Sequence, residues 1–227
     1  MKLKLEKFNR LLEDKDIIEN SLEKTKKEYR NLDPGQYLYN LLLNKRKISD
    51  IYSDEYLELA YTTLIAWNMN GRGAKLSDID NFKDTIRENK NEINLLKGYR
   101  IEKLDEQEIK KVLEILERLF NKLEIVKTKS PLVTFSKTLH FLLPELVVPI
   151  DRRYTANFFY NSNQIPQKEK QFKVFSDLFE KFWEISQRYN LNNYLDNNWN
   201  RTIPKVIDNM IIGYNLNKIK DVGNEVV

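Results

Sequence analysis

An all-α, multi-helix globular bundle is the architecture this sequence predicts, and three observations predict it. Only 6 glycines and 6 prolines punctuate 227 residues, far too few for the closely spaced turns of a sandwich or barrel. Apolar residues recur three and four apart through much of the chain, the spacing that lines one side of a helix. Capping residues (Ser53 or Asp54, Ser77 or Asp78, Asp105, Asp151, Thr202) stand just ahead of several of those stripes, where a side-chain oxygen can satisfy the free N–H groups of a first turn.

Residues 3–29 carry Leu5, Phe8, Leu11, Leu12, Ile18 and Leu22 among mixed Glu and Lys, which predicts one or two amphipathic helices. Asn31-Leu32-Asp33-Pro34-Gly35 then predicts a firm break. A short apolar helix over 37–43 runs into the basic stretch 44–47, and a core helix follows with Tyr56, Leu59, Ala60, Thr63, Leu64 and Trp67 on its face. Residues 68–75 form a turn, and a helix restarts through Phe82 and Ile86. Residues 89–104 are ambiguous, with a turn at 97–100. Asp105 caps a strong helix over 106–123 with Ile109, Val112, Leu113, Leu116 and Phe120 on one stripe. After a loop at 127–131, a mostly apolar helix spans 132–143 and stops at Pro144. Residues 147–150 are extended and buried, because a proline biases its predecessor away from the helical region, and Asp151 opens a helix to about Tyr160.

The stripe Phe172, Phe175, Phe179, Phe182 and Trp183 on a helix over 170–189 reads as core. An Asn-rich connector, 190–200, leads to a last helix over 203–214, with Pro204 tolerated in its first turn and a polar tail from Lys218. Residues 1–35 read as a helical extension, and 36–227 as a core domain with sub-lobes at 50–125 and 126–215.

Composition removes many chemistries. With no cysteine, disulfides, thiolate nucleophiles and cysteine-ligated metals are excluded. A single histidine, His140, excludes histidine cages, and no metal or cofactor is expected. The net charge of +4 permits a polyanionic partner such as DNA without demanding one. No leader-like or membrane-spanning run is present, so a cytoplasmic protein is expected. Neither a phosphate-binding glycine loop nor a Gly-x-Ser-x-Gly elbow occurs, and Asp84, Glu88 and Lys90 lack a strand to present them as a nuclease site.

The segment 130–154 is the densest in chemistry. Lys137 stands inside an apolar helix, and burial lowers the pKa of an amine unless a carboxylate offsets it. Asp151 follows after one helix end and a short extended stretch, so the chain can turn both side chains toward one cleft. A lysine on an apolar helix, a Val147-Val148-Pro149-Ile150 loop and an aspartate heading the next helix together resemble the helix-hairpin-helix DNA glycosylases. Residues 56–69 are similar to that family's early helix, and the similarity covers about residues 50–215. The Ser-Lys-x-Leu-His helix followed by Pro-hydrophobic-Asp also resembles a branch of uncharacterised prokaryotic proteins.

The resemblance implies a helix-hairpin-helix fold, a DNA partner and a glycosylase or abasic-site lyase. Lys137 would then be the nucleophile attacking the deoxyribose anomeric carbon, and Asp151 would stabilise positive charge on the sugar. The hairpin segment 127–134 has no glycine, so Lys127 and Lys129 would supply the phosphate grip there. Arg152 and Arg153 would contact phosphates, Trp67 or Tyr154 would fill the gap left by a flipped base, Arg72 in the Asn-Gly-Arg-Gly turn would offer an anion contact, and His140 an accessory group. Plainer roles compete: Asp151 as a helix cap, Lys137 snorkelling to solvent, Arg152 and Arg153 in surface ion pairs, His140 as a satisfied core residue. Under those roles the chain is a non-enzymatic interaction protein, as from a mobile element or defence locus.

Overall fold

A computed structural model describes residues 2–28, 33–67, 75–128 and 130–223. Among them are eleven α-helices and a single antiparallel bridge, Leu76 to Val126, so the all-α expectation holds. α1 (Glu6–Glu13) and α2 (Lys15–Glu28) are separated at Asp14, whose extended backbone breaks the first amphipathic stretch and whose carboxylate receives Asp16 N–H. α3 (Pro34–Arg46) begins where the sequence predicts a break. Proline fits the first turn of a helix because that position needs no donor, and Asp33 caps it by accepting Gln36 N–H at 2.8 Å.

Ser53 caps α4 (Asp54–Ala66), and Asp78 caps α5 (Ile79–Glu88). The ambiguous stretch forms α6 (Lys90–Leu96) before the turn. Asp105 and Glu108 close a capping box on α7 (Glu106–Lys122), satisfying donors in both directions. α8 (Leu132–Leu142) is buried at every position and forms the centre of the molecule. The helix expected from Asp151 opens instead as a wide π turn, Arg152–Ala156, before the short α9 (Asn157–Tyr160). α10 (Gln171–Arg188) carries the aromatic stripe, and α11 (Ile203–Gly223) runs past the predicted end at 214 and into the expected tail.

One hydrophobic core runs from Phe8 to Tyr214. Its aromatic spine steps from Phe120 to Phe135 at 4.9 Å, and from Phe135 to Phe175 at 5.3 Å, in the edge-on geometry that ring quadrupoles favour. α2 lies directly on α11: Thr25 Oγ1 is 2.6 Å from Asn209 O, and a Cβ on Gly213 would overlap the backbone of Ser21. The N-terminal helices therefore belong to the same core, and they hold α11 where its first turns reach the site described next.

Candidate active site

The site is assembled by α8 and the extended segment that folds back along it. Ser136 and His140 lie four apart, on one side of α8. Ser136 Oγ accepts Ile150 N–H at 2.9 Å, and His140 Nδ1 is 2.7 Å from Val147 O. These two clasps pin residues 147–150 to the helix. Val147 O can only accept, so the imidazole proton sits on Nδ1, and Nε2 accepts from the Tyr39 hydroxyl at 2.7 Å. Burial pushes the His140 pKa down to about 3, so the imidazole is neutral.

Asp151 leaves this clasp at the π turn. Its Oδ1 accepts Arg153 N–H at 2.7 Å and Tyr154 N–H at 3.2 Å, and Ala156 N–H closes onto Asp151 O at 3.0 Å. Its Oδ2 stands 3.8 Å from Lys137 Nζ. The two groups face a pocket of about 270 Å³, which is also lined by Trp67, Tyr154, Pro149, Lys205 and Asp208.

Lys137 does not snorkel, since only 8% of its side chain is exposed, while Asp151 keeps 32%. Trp67 covers the amines: its ring lies 5.5 Å from Lys137 Nζ and 5.1 Å from Lys205 Nζ, within cation–π range. The indole is held by its own N–H donating to Gly35 O at 3.1 Å and by Phe141 edge-on at 4.9 Å. A Cβ on Gly35 would meet Trp67 Cδ1 at 2.9 Å, so a glycine is what lets the ring sit so close.

Lys205 and Asp208, three apart on α11, form a second ion pair of 2.6 Å that is almost wholly buried. Neither is among the site residues expected from the sequence. A lysine and an aspartate inside the largely apolar stretch Ile203–Ile212 are the signal that marks them, because such residues are rarely buried unless paired. Four charges thus share one pocket. Burial pushes the Lys137 ammonium below the ordinary lysine range; Asp151 and Asp208 pull it back up, and Lys205 pushes it further down. Burial likewise raises the Asp208 carboxyl, against the attraction of Lys205 and Lys137.

The other expected site residues are distributed as follows. Trp67, Lys137, Asp151 and Tyr154 come together at the pocket. Arg152 and Arg153 are exposed on its flank, the former donating to Ser130 Oγ at 3.0 Å, the latter 5.4 Å from the Tyr154 ring. Lys127 is exposed and 4.0 Å from Asp78. His140 is not brought into the pocket, because both ring nitrogens are occupied by protein groups and the ring is fully buried. Arg72 and Lys129 lie outside the described residues. Among the described residues no cluster of His, Asp or Glu is arranged to hold a metal, and no helix is long and apolar enough to cross a membrane. Comparison with protein-family models, curated proteins and solved structures returns no match.

Proposed function

We propose that this chain binds DNA and acts on it through the Lys137 amine, as a glycosylase or abasic-site lyase related to the helix-hairpin-helix glycosylases. The observation that carries the reading is a nearly buried amine 3.8 Å from a half-exposed carboxylate, both opening on one pocket beneath an indole. A nucleophilic amine must be unprotonated, and burial favours that form. At about 270 Å³, the pocket has the size for one flipped-out nucleoside, near the lower end of ligand clefts.

On an abasic site, Lys137 Nζ attacks the C1′ aldehyde of the ring-opened sugar. The new C–N bond forms as the carbonyl oxygen takes a proton; that oxygen then leaves as water, giving an imine. Asp151 carries protons and offsets the positive charge that develops at C1′ and nitrogen. With an intact nucleotide, Nζ attacks C1′ as the bond to the base breaks; the base leaves with the proton that Nζ gives up, passed on by Asp151, and the resulting aminal opens at O4′ to the same imine. Trp67 and Tyr154 offer flat surfaces to the extruded group, and Arg152 and Arg153 reach for flanking phosphates.

Borohydride trapping with a duplex containing one abasic site tests this. Wild type is expected to form a covalent adduct that Lys137→Ala abolishes. Asp151→Asn keeps an oxygen to cap the π turn and is expected to slow trapping by about 100-fold, the usual scale for a positioned acid–base group. No adduct with wild type, or one that survives Lys137→Ala, overturns the proposal.

A further inference from the structure

A cavity of about 580 Å³ lies away from Lys137, between the end of α3, the turn after α8 and the loop entering α11; Arg46, Lys47, Glu145, Asp196, Arg201 and Thr202 line it. We infer that this groove is a second phosphate seat, taking the backbone of the same nucleic-acid strand a few nucleotides from the one that occupies the Lys137 pocket. The inference deepens the DNA-binding reading and rests on it.

Charge is the first ground. The acids near the groove are already committed: Asp196 Oδ1 accepts the N–H groups of Asn198, Trp199 and Asn200, Glu55 pairs with Lys45, and Glu145 lies 4.0 Å from Arg100. Arg201 is held by neutral acceptors, the side-chain oxygens of Asn40 and Asn44 and the carbonyl of Asn197. Its guanidinium is therefore positioned while its charge is left uncompensated, as a phosphate site requires. Arg46 and Lys47 form no ion pair among the described residues. Glu145 and Asp196 are the acids that line the groove with them; Asp196 holds three backbone N–H groups, and burial pushes the Glu145 carboxyl upward, against Arg100 and Arg46.

Alignment is the second ground. Gln36, Asn40, Asn44 and Lys47 recur along one face of α3. At its near end Gln36 lines the Lys137 pocket, and at its far end Leu43, Arg46 and Lys47 line the groove. From Gln36 to Leu43 the helix rises about 10 Å, roughly three base steps along one strand. α11 follows the same line, with Thr202 at the groove and Lys205 and Asp208 at the pocket. The bridge between them is rigid: Gln36 donates to Asn198 O, and Asn40 Nδ2 to Asn198 Oδ1 at 3.1 Å.

The test is the salt dependence of binding, measured by fluorescence anisotropy on the full chain with a duplex carrying one tetrahydrofuran abasic analogue. Replacing both Arg46 and Lys47 by Gln is expected to reduce the slope of log K against log salt by about 1.8, since each phosphate contact contributes about 0.9. Lys47→Glu, at an exposed position with no fold to disturb, is expected to weaken binding by about tenfold or more near 100 mM salt. The charge-preserving pair Arg46→Lys and Lys47→Arg is expected to keep the wild-type slope. An unchanged slope and affinity in the Gln and Glu variants, or no wild-type binding at low salt, overturns the inference. Binding that follows these expectations while borohydride traps nothing would refute the enzymatic reading and leave the phosphate seat standing.

Discussion

Asp151 divides its two oxygens: Oδ1 takes the backbone N–H groups of the π turn, and Oδ2 is left for Lys137. Lys137 and Lys205, though both buried in the same pocket, are expected to respond oppositely to removal. Folding lowers the Lys137 pKa, so the native state releases a proton that the unfolded chain keeps, and its contribution improves as pH rises toward the ordinary lysine value. Lys137→Met relieves that penalty and leaves behind a half-exposed acid, so urea unfolding at pH 7 is expected to show stability within about 1 kcal/mol of wild type, or higher. Lys205→Met leaves the Asp208 carboxylate buried without its partner and is expected to cost about 3 to 5 kcal/mol. His140 supplies a pH signature. Its pKa is pushed down to about 3 in the fold against about 6.5 in an unfolded chain, so the unfolded state binds the extra proton between those values. Stability is complete above about pH 6.5 and falls toward pH 3, by up to about 1.4 kcal/mol per unit. Unfolding curves from pH 7 to pH 4.5 check this, and His140→Gln is expected to flatten the dependence.

At the scale of elements, close approach of α2 and α11 decides a substitution that propensity alone gets wrong. Gly213→Ala gains about 1 kcal/mol of helix propensity, but the new methyl would overlap Ser21 O. Overpacking of a fixed backbone costs about 1 to 3 kcal/mol, so a net loss of thermal stability is expected; a higher melting temperature would mean that the two helices can separate freely. Much of this level was legible in the sequence. Asp105, Ser53 and Asp78 announce their helices because capping is local chemistry, and the stripes of α7 and α10 follow from periodicity. The break expected before α3 is there, but the helix starts at Pro34 rather than at 37, because the Pro-Gly pair also fits a first turn when Asp33 stands ahead of it. The π turn after Asp151 is set by contacts to Thr155 and the backbone, and residue types do not distinguish it from an ordinary turn.

Across the whole molecule, the pocket gathers residues from Asp33 to Ile212, and this explains what the sequence withheld. Lys137 and Asp151 are fourteen residues apart on one local motif, so their meeting could be anticipated. Trp67 reaches them only because α4 packs on α8, with Tyr56 Oη donating to Phe141 O at 2.6 Å. Lys205 and Asp208 arrive only because α2 and the core hold α11 in place, a relation that no local pattern carries. His140, which the sequence reads either as an accessory group or as a satisfied core residue, is the latter, with both ring nitrogens held by protein groups, and it clasps residues 147–150 to α8.

Trace reductive methylation, with formaldehyde and cyanoborohydride at pH 7 followed by peptide mapping, asks whether the Lys137 amine, which burial pushes below the ordinary lysine range, gives up its proton more readily than surface lysines and is reachable through the pocket. Lys137 is expected to be modified ahead of exposed lysines such as Lys47 and Lys127. Modification of the surface lysines with Lys137 left untouched would contradict it.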